Sequence, residues 1–297
     1  AVPAPWLCLY LREPAAFLAE LPFASFSFSG RTALLFLGCA FLLLGLAVLL
    51  GRGRPRFRTA ALLCVILFFV SVLSRQLCLR GVTRVSVLSA GDGISVVLVR
   101  DGRAAVVGCA GYSETPVVRA LQAENIHSLD LLVMAGESFA ECSNAGHILE
   151  ETPAAVLLCR PASLANGTLL AASELAGETI PTAASYSVSL WDGEVTVERS
   201  GDFLRILCGE ESLLLWPDGA DAASLPEEWK GCTVLLLEEA PDCLAELTAD
   251  CGVFCMDEDS VSAVWRVDYD FLPIATADGT VVLRVSDGNE TQVRREF

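Results

Sequence analysis

The sequence predicts a mixed α/β fold, with two sheets covered by helices, preceded by two membrane-spanning helices. Three observations lead to this expectation. The chain of 297 residues is long enough for about two domains of common size. Its mean hydropathy of +0.52 is high for a soluble domain, and the apolar excess lies in the first 80 residues. Further on, short apolar runs alternate with turns and a few helical stretches, which is typical of a layered sandwich.

The first 28 residues mix Pro, Trp and Phe with apolar helix formers, and Pro22 ends their helical part. We interpret segment 1–28 as an amphipathic or re-entrant helix lying against the membrane. The alternative is the cut end of a longer span. Because the chain begins at Ala1 rather than Met, we expect it to be a piece of a longer protein.

Two long apolar runs follow, and we predict transmembrane helices over residues 32–50 and 59–79. The loop between them carries four arginines in seven positions: Arg52, Arg54, Arg56 and Arg58. Short loops rich in Arg stay in the cytoplasm, so the chain should emerge on the other side. We therefore expect a protein of the bacterial inner membrane, with residues 1–81 as its membrane region and residues 82–297 as an extracytoplasmic domain.

The second part of the chain is predicted to be rich in strands. A helix is expected over Pro116–Glu124, with Thr115 as its N-cap. The predicted strands are Val85–Leu88, Ser95–Arg100, Ala104–Val107, Leu129–Met134, Ala155–Cys159, Ser187–Trp191, Val195–Arg199, Leu204–Cys208, Ser212–Trp216, Thr233–Leu237, Val264–Val267, Leu272–Thr276 and Val281–Val285.

Charge is distributed unevenly along the chain. Residues 1–80 hold eight of the 20 Lys and Arg and two of the 37 acids, a net charge of +6. The remainder therefore has twelve basic against thirty-five acidic residues, or −23, and the two parts sum to the total of −17. A domain this acidic repels a phosphate backbone, so nucleic acid bound by charge alone is disfavoured.

Eight of the twelve cysteines lie after residue 80. Cys251 and Cys255 are spaced by three residues but have no second pair and no nearby histidine, so zinc is not indicated. We expect most of these cysteines to be buried thiols. One or two disulfides stay open if the domain lies outside the cytoplasm.

Three stretches of the sequence resemble one family. They are VSVLSAGDGISVVLVRDGRAAVVGCAG, IHSLDLLVMAGESFAECSNAGHI and VDYDFLPIATADGTVVLRVSDG. In order and context they are similar to the ComEC family of DNA-internalization competence proteins. In that family a membrane domain precedes a metallo-β-lactamase-like domain. The resemblance implies an αββα sandwich over residues 82–297 and covers essentially the whole chain, as the C-terminal portion of a longer family member.

The chain departs from the family at the motif that holds the metal. When the sequences are aligned on the strand LLVM, the three histidines and the aspartate of the family motif L-T-H-P-H-A-D-H fall on residues of other types. These are Gly136, Ser138, Ala140 and Glu141. The aspartates of two earlier family segments fall on Ser89 and Gly108. Of the family's metal-bridging segment only Asp218 is retained, and a later His-His pair falls on Glu238 and Glu239.

Hydrolysis of the metallo-β-lactamase type needs a metal pair held by several imidazoles and carboxylates. The chain contains only two histidines, His127 and His147. We expect His127 to be a surface or capping residue and His147 to lie at a helix start or in a loop. The sequence therefore predicts no catalytic residue, no metal and no cofactor. An acidic, all-oxygen site built from carboxylates remains the alternative. Its candidate ligands are Glu137, Glu141, Asp218, Glu238 and Glu239.

The resemblance implies a membrane component of DNA uptake in natural competence. We expect its extracytoplasmic domain to be an inactive scaffold or docking module. The expected partners are the membrane and other DNA-uptake proteins, with single-stranded DNA reached only through a membrane domain upstream of Ala1. Two alternatives stay open: a metal-dependent hydrolase or nuclease with an acidic site, and a membrane-anchored interaction module unrelated to DNA. The sequence upstream of Ala1 would separate DNA uptake from the anchored module, because a competence-type domain with several spans there would support DNA uptake.

Overall fold

The computed structural model describes residues 80–296, apart from residues 92, 183, 218, 239–246, 257–269 and 287–291. Upstream, only four isolated positions are described, all helical: Gly38, Gly45, Ile66 and Val70. The predicted segments 1–28, 32–50 and 59–79 otherwise lie outside the described residues, as do Arg52, Arg54, Arg56 and Arg58. Within the described part of the chain, no helix has both the length and the apolarity needed to cross a membrane.

The chain divides into two compact units, and the second comprises Gln76–Gln122 and Ile126–Phe297. Within its described residues this unit contains two sheets. Six strands begin the first sheet: β1 (Val82–Val87), β2 (Val96–Arg100), β3 (Arg103–Val107), β4 (Leu129–Val133), β5 (Ala154–Cys159) and β6 (Glu178–Pro181). The last two strands, β14 (Thr280–Ser286) and β15 (Gln292–Glu296), return to it. The spatial order is β15-β14-β1-β2-β3-β4-β5-β6.

The second sheet has seven strands in the described residues, arranged in the order β13-β12-β11-β10-β9-β8-β7. They are β7 (Ser185–Leu190), β8 (Val195–Ser200), β9 (Phe203–Cys208), β10 (Glu211–Trp216), β11 (Gly231–Leu237), β12 (Thr248–Phe254) and β13 (Leu272–Ala275). β3 to β6 are parallel neighbours in the first sheet, and β10 to β13 are parallel neighbours in the second. Such strands end at one edge of each sheet, which is where ligand sites of α/β folds are usually built.

The two sheets pack face to face through alternating apolar residues. Val107 and Leu131 of the first sheet belong to one buried cluster with Val197 and Ile206 of the second. This alternation follows the two-residue period of a strand, which puts every other side chain on the same face. The predicted mixed α/β architecture with two sheets is confirmed in the described residues.

Three α-helices cover the outer face of the first sheet: α1 (Thr115–Ala123), α2 (Phe139–Glu151) and α3 (Gly167–Ser173). Leu121 and Ile148 pack from these helices against Val106 and Leu132 of the sheet. The outer face of the second sheet is covered by short 3₁₀ turns, including Glu227–Trp229. In the described residues the helical layer thus lies on one side, and the second helical layer of an αββα sandwich stays a prediction.

Most of the predicted strands are present within one or two residues of their expected ends, except that Val264–Val267 lies outside the described residues. Strands β6, β12 and β15 were not predicted. Helix α2 was not predicted either, and His147 lies inside this helix rather than at a helix start or in a loop. The local reason for α2 is its N-cap: the Ser138 side chain accepts a hydrogen bond from the Glu141 amide.

Candidate functional site

The strand ends of the two sheets meet at one edge of the sandwich. The Ile94 amide, just before β2, donates to Oε1 of Glu238, just after β11, over 3.0 Å. The neighbouring Gly93 amide donates to the carbonyl of Cys255, which follows β12, over 3.3 Å. Because these contacts join the two sheets next to the loop that follows β4, the positions aligned with the family's metal motif lie at this junction.

The four aligned positions take up structural roles in the turn from β4 into α2. Gly136 is half-buried, whereas Ser138 and Ala140 are exposed. Ser138 caps α2, and its hydroxyl accepts from the Glu141 amide at 3.1 Å. Glu141 is the only one of the four with a buried side chain that can carry charge. Three of the four positions therefore present no ligand for a metal.

Glu141 turns its carboxylate back onto the loop that precedes its own helix. Oε1 accepts from the amides of Ala135 at 2.8 Å and Gly136 at 3.0 Å, and Oε2 accepts from the Gly136 amide at 2.8 Å. An acid at the third helical position commonly binds amides at the helix start. Here it binds two amides that lie before the cap, so both carboxylate oxygens are used by the backbone.

The environment of Glu141 raises the pKa of its carboxyl above the ordinary value. Burial is the main cause, because removing water disfavours the charged form. The hydrogen bonds from Gly136 and Ala135 oppose this rise, and the nearby Glu238 carboxyl adds to it. Two acids thus lie near one another at the junction, where one of them is already engaged by the Gly136 and Ala135 amides.

Arg199, at the end of β8 in the second sheet, reaches the same loop from the opposite side. Its Nη1 donates to the Met134 carbonyl at 3.0 Å, and its Nη2 donates to the Ala135 carbonyl at 2.7 Å. Its Nε donates to the Gly201 carbonyl at 3.0 Å. The residue is only 2% exposed. Burial lowers the pKa of its guanidinium, but the ordinary value is so high that the group stays charged.

A second arginine, Arg160, forms hydrogen bonds with two loops on the solvent-exposed side of the junction. Arg160 Nη1 donates to Glu137 Oε1 at 3.2 Å, while Nη2 donates to Asp202 Oδ1 at 2.7 Å and to the Gly201 carbonyl at 3.1 Å. The turn between β8 and β9 is therefore held to the loops after β4 and β5. Glu137, one of the acids of the alternative metal site, is directed toward this arginine.

The helix that carries Glu141 is also anchored to the loop after β3. Asn144 is buried, and its Nδ2 donates to the carbonyls of Cys109 and Gly111, both at 3.1 Å. These two bonds satisfy both hydrogens of the amide group. They fix α2 against the neighbouring strand end, which in turn fixes the position of the Glu141 carboxylate.

The remaining predicted positions do not complete a ligand set. Ser89 is exposed, and Gly108 has a φ of 76°, with an added Cβ only 2.3 Å from the Ile94 carbonyl oxygen. His127 and His147 are both exposed. His147 Nδ1 lies 3.2 Å from Glu150 Oε2 on the outside of α2. Asp218 and Glu239 lie outside the described residues.

The described residues at this junction do not fit the metal pair that the resemblance implies. Both oxygens of Glu141 accept hydrogen bonds from backbone amides, and a buried guanidinium lies at the same loop. Among the described residues, no group of three or more His, Cys, Asp and Glu is placed to hold a metal ion. At the position where the aligned motif would bind metal, the polar side chains instead form hydrogen bonds with the backbone of the loop after β4.

The described part of the chain contains seven cysteines. Six are buried, namely Cys109, Cys142, Cys159, Cys208, Cys251 and Cys255, and Cys232 is half-buried. Burial raises the pKa of the Cys109, Cys142, Cys159, Cys208, Cys232 and Cys255 thiols, to about 11 for Cys159 and Cys232. Thiols of this kind are poor nucleophiles, because the thiolate is the reactive form.

Sequence reasoning missed Arg199, Arg160 and Asn144. A signal for Arg199 was present, because β8 reads VTVERS and its buried positions alternate. With Val195 and Val197 facing the core, the two-residue period also directs Arg199 inward. No local signal marks Arg160 or Asn144, whose partners are far away in the sequence.

No family model matches the chain, and no curated protein matches it either. Among solved structures it is similar to the metallo-β-lactamase fold protein YhfI from Bacillus subtilis. That match has 10% identity and a TM-score of 0.49, over 65% of this chain and 96% of that chain.

It is also similar to a diphosphatase from the PhnP family, with 12% identity and a TM-score of 0.47, over 69% of this chain and 99% of that one. A metallo hydrolase from the hyperthermophilic archaeon Ignicoccus hospitalis matches with 13% identity and a TM-score of 0.41, over 72% and 100%. At these identities and TM-scores, the likenesses carry no argument about the site, which rests on the residues of this chain.

Proposed function

We propose that the chain is part of a membrane component of DNA uptake in natural competence, with an extracytoplasmic, metallo-β-lactamase-like domain that is catalytically inactive. The domain serves as a scaffold or docking module. The order of the sequence supports this proposal: two apolar runs joined by an Arg-rich loop precede a domain that opens and closes with stretches similar to those of the ComEC family. The proposed location is the bacterial inner membrane.

The observation that supports the proposed lack of catalysis is the binding of the Glu141 carboxylate by backbone amides. A metal ligand must offer a lone pair to the ion, but the Ala135 and Gly136 amides occupy three of the roughly four acceptor positions of the Glu141 carboxylate, two on Oε1 and one on Oε2. The guanidinium of Arg199 lies at the same loop and repels any added cation. Without a metal pair there is no source of hydroxide near neutral pH and no Lewis acid for the transition state.

Charge supports a protein partner for the domain. With a net charge of −23 after residue 80, the domain repels a nucleic-acid backbone, whose binding normally rests on Lys and Arg. Other DNA-uptake proteins with basic surfaces are the partners that fit this charge. Single-stranded DNA would be contacted only by a membrane domain upstream of Ala1.

The full chain, purified in detergent, tests the proposal. We expect no cleavage of single- or double-stranded DNA with added Mn²⁺ or Zn²⁺, and no salt-sensitive binding to single-stranded DNA. In the source bacterium, an allele that ends after Leu79 should lower transformation strongly. The Glu141→Gln allele should transform normally when the variant is present in the membrane at the wild-type level, because no catalysis is lost. Metal-dependent cleavage, or normal transformation by the truncated allele, would contradict the proposal.

The second candidate function is a hydrolase with an acidic metal site. The observation that favours it is the proximity of Glu238 to Glu141: burial is the main cause of the raised pKa of the Glu141 carboxyl, and the Glu238 carboxyl adds to it. Two neighbouring acids could share a cation. Mn²⁺-dependent cleavage by the wild type, lost in both Glu141→Gln and Glu238→Gln, would support this candidate. The Glu150→Gln variant, on the exposed face of α2, is the matched control.

A further inference from the structure

The peptide group between Ala135 and Gly136 is held by opposite charges at its two ends. Arg199 Nη2 donates to the Ala135 carbonyl oxygen at 2.7 Å, and the Gly136 amide donates to Glu141 Oε2 at 2.8 Å. Because the oxygen and the N–H belong to one polarisable unit, each hydrogen bond strengthens the other. The cation and the anion therefore act on each other through this peptide.

The two charges come from different layers of the sandwich. Arg199 belongs to β8 of the second sheet, and Glu141 belongs to α2, which packs on the outside of the first sheet. The loop after β4 lies between them. A guanidinium that is 2% exposed carries a large desolvation penalty unless its donors are compensated. Here its three nitrogens donate to three backbone carbonyls, those of Met134, Ala135 and Gly201.

We propose that the Arg199 guanidinium is the resident cation of this site: it stands in place of a metal and joins the two sheets through the Ala135–Gly136 peptide, with Glu141 as its counter-ion. The site then needs no metal to hold its loops together. The loop after β4 then connects the two sheets and does not supply metal ligands. This inference concerns what holds the domain together, so it stands or falls independently of DNA uptake.

Arg100 provides the matched control. It is also a buried arginine that links the two sheets, because its Nη1 donates to Thr83 Oγ1 at 2.9 Å and its Nη2 lies 3.2 Å from Glu194 Oε2. Glu194 lies just before β8 and five residues from Arg199, which is about 17 Å in an extended chain. Removing Arg100 therefore disturbs the opposite end of the sandwich without touching the Ala135–Gly136 peptide.

Hydrogen exchange of the full chain in detergent, followed by mass spectrometry, tests the proposal. In the wild type the Ala135 and Gly136 amides should exchange slowly, with or without a chelator. In Arg199→Met they should exchange roughly ten- to a hundredfold faster, the loss expected for a hydrogen bond assisted by charge. Arg100→Met should leave the rate at these two amides unchanged.

Two results would overturn the proposal. One is unchanged exchange at Ala135 and Gly136 in Arg199→Met. The other is accelerated exchange in the wild type when a chelator removes a bound metal. If Arg199→Met does not fold, Arg199→Lys carries the test, because lysine keeps the charge but lacks the planar fork that binds two carbonyls. The two amides should then exchange faster than in the wild type while strand β9 keeps its protection.

Discussion

The substitution Gly136→Ala probes the contact between the loop after β4 and the Glu141 carboxylate. A Cβ added at Gly136 would lie 2.6 Å from Glu141 Oε2, well inside van der Waals contact. The φ of Gly136 is not positive, so the backbone itself accepts alanine. The cost arises because the carboxylate must move away from the amides that it binds. Partial loss of hydrogen bonds to a charged group amounts to about 2–4 kcal/mol, or a fall in Tm of roughly 5–15 °C for a domain of this size.

Thermal and denaturant unfolding of the full chain measures this cost, and a double-mutant cycle assigns it. In the Glu141→Ala background the obstructing atom is gone. Gly136→Ala should then be neutral, or stabilising by up to about 1 kcal/mol through a less flexible unfolded chain. Gly167→Ala, where an added Cβ meets nothing within 4 Å, is the control. An equal loss from Gly136→Ala in both backgrounds would refute the reasoning.

Three further predictions concern the surroundings of this contact. Asp202→Ala removes one partner of Arg160 at a half-exposed ion pair, so we expect a loss in the free energy of unfolding below about 1 kcal/mol in a denaturant titration. Burial raises the pKa of Cys159 to about 11 and that of Cys208 to about 12. Both thiols should therefore be alkylated far more slowly in the folded than in the unfolded protein at pH ~8, which mass spectrometry can measure. The folded-state pKa of Glu141 is raised. Its contribution to stability is therefore complete below the unfolded-state pKa of about 4.3 and is lost as the pH rises through the folded-state pKa. When the free energy of unfolding is measured across this range, that of the wild type should increase relative to that of Glu141→Gln as the pH falls.

Most strands were predictable because the alternation of apolar and polar residues that identifies a strand is a local sequence pattern. In β8, Val195 and Val197 alternate with more exposed residues, and the sequence pattern locates the strand to within a residue. The sequence did not indicate β12, whose residues Thr248–Phe254 include two alanine or glycine positions and a cysteine. This strand is held by parallel neighbours on both sides. Its partners, rather than its own propensity, determine that it is extended.

Helix α2 was missed although its start carries a recognisable signal. Ser138 and Glu141 have the spacing of a capping box, which marks the beginning of a helix. We interpreted the same residues only as the remnants of a metal motif. The structure shows that Ser138 does cap the helix, whereas the Glu141 side chain binds amides further back.

The junction itself depends on contacts that no local pattern contains. Arg199 meets the Met134 and Ala135 carbonyls across more than sixty residues of sequence. The inward direction of Arg199 could be inferred from the alternation in β8, but its acceptors could not. Backbone carbonyls carry no sequence signal, and only the packing of one sheet on the other brings them within reach.

The metal content of the purified full chain tests the central claim most directly. The protein should be produced in medium supplemented with zinc and manganese, then dialysed and analysed by inductively coupled plasma mass spectrometry. With Glu141 bound to backbone amides and Arg199 at the same loop, we predict well under one ion per chain, and an unfolding temperature that a chelator does not change. One or two tightly bound ions per chain, whose removal lowers that temperature, would contradict the account.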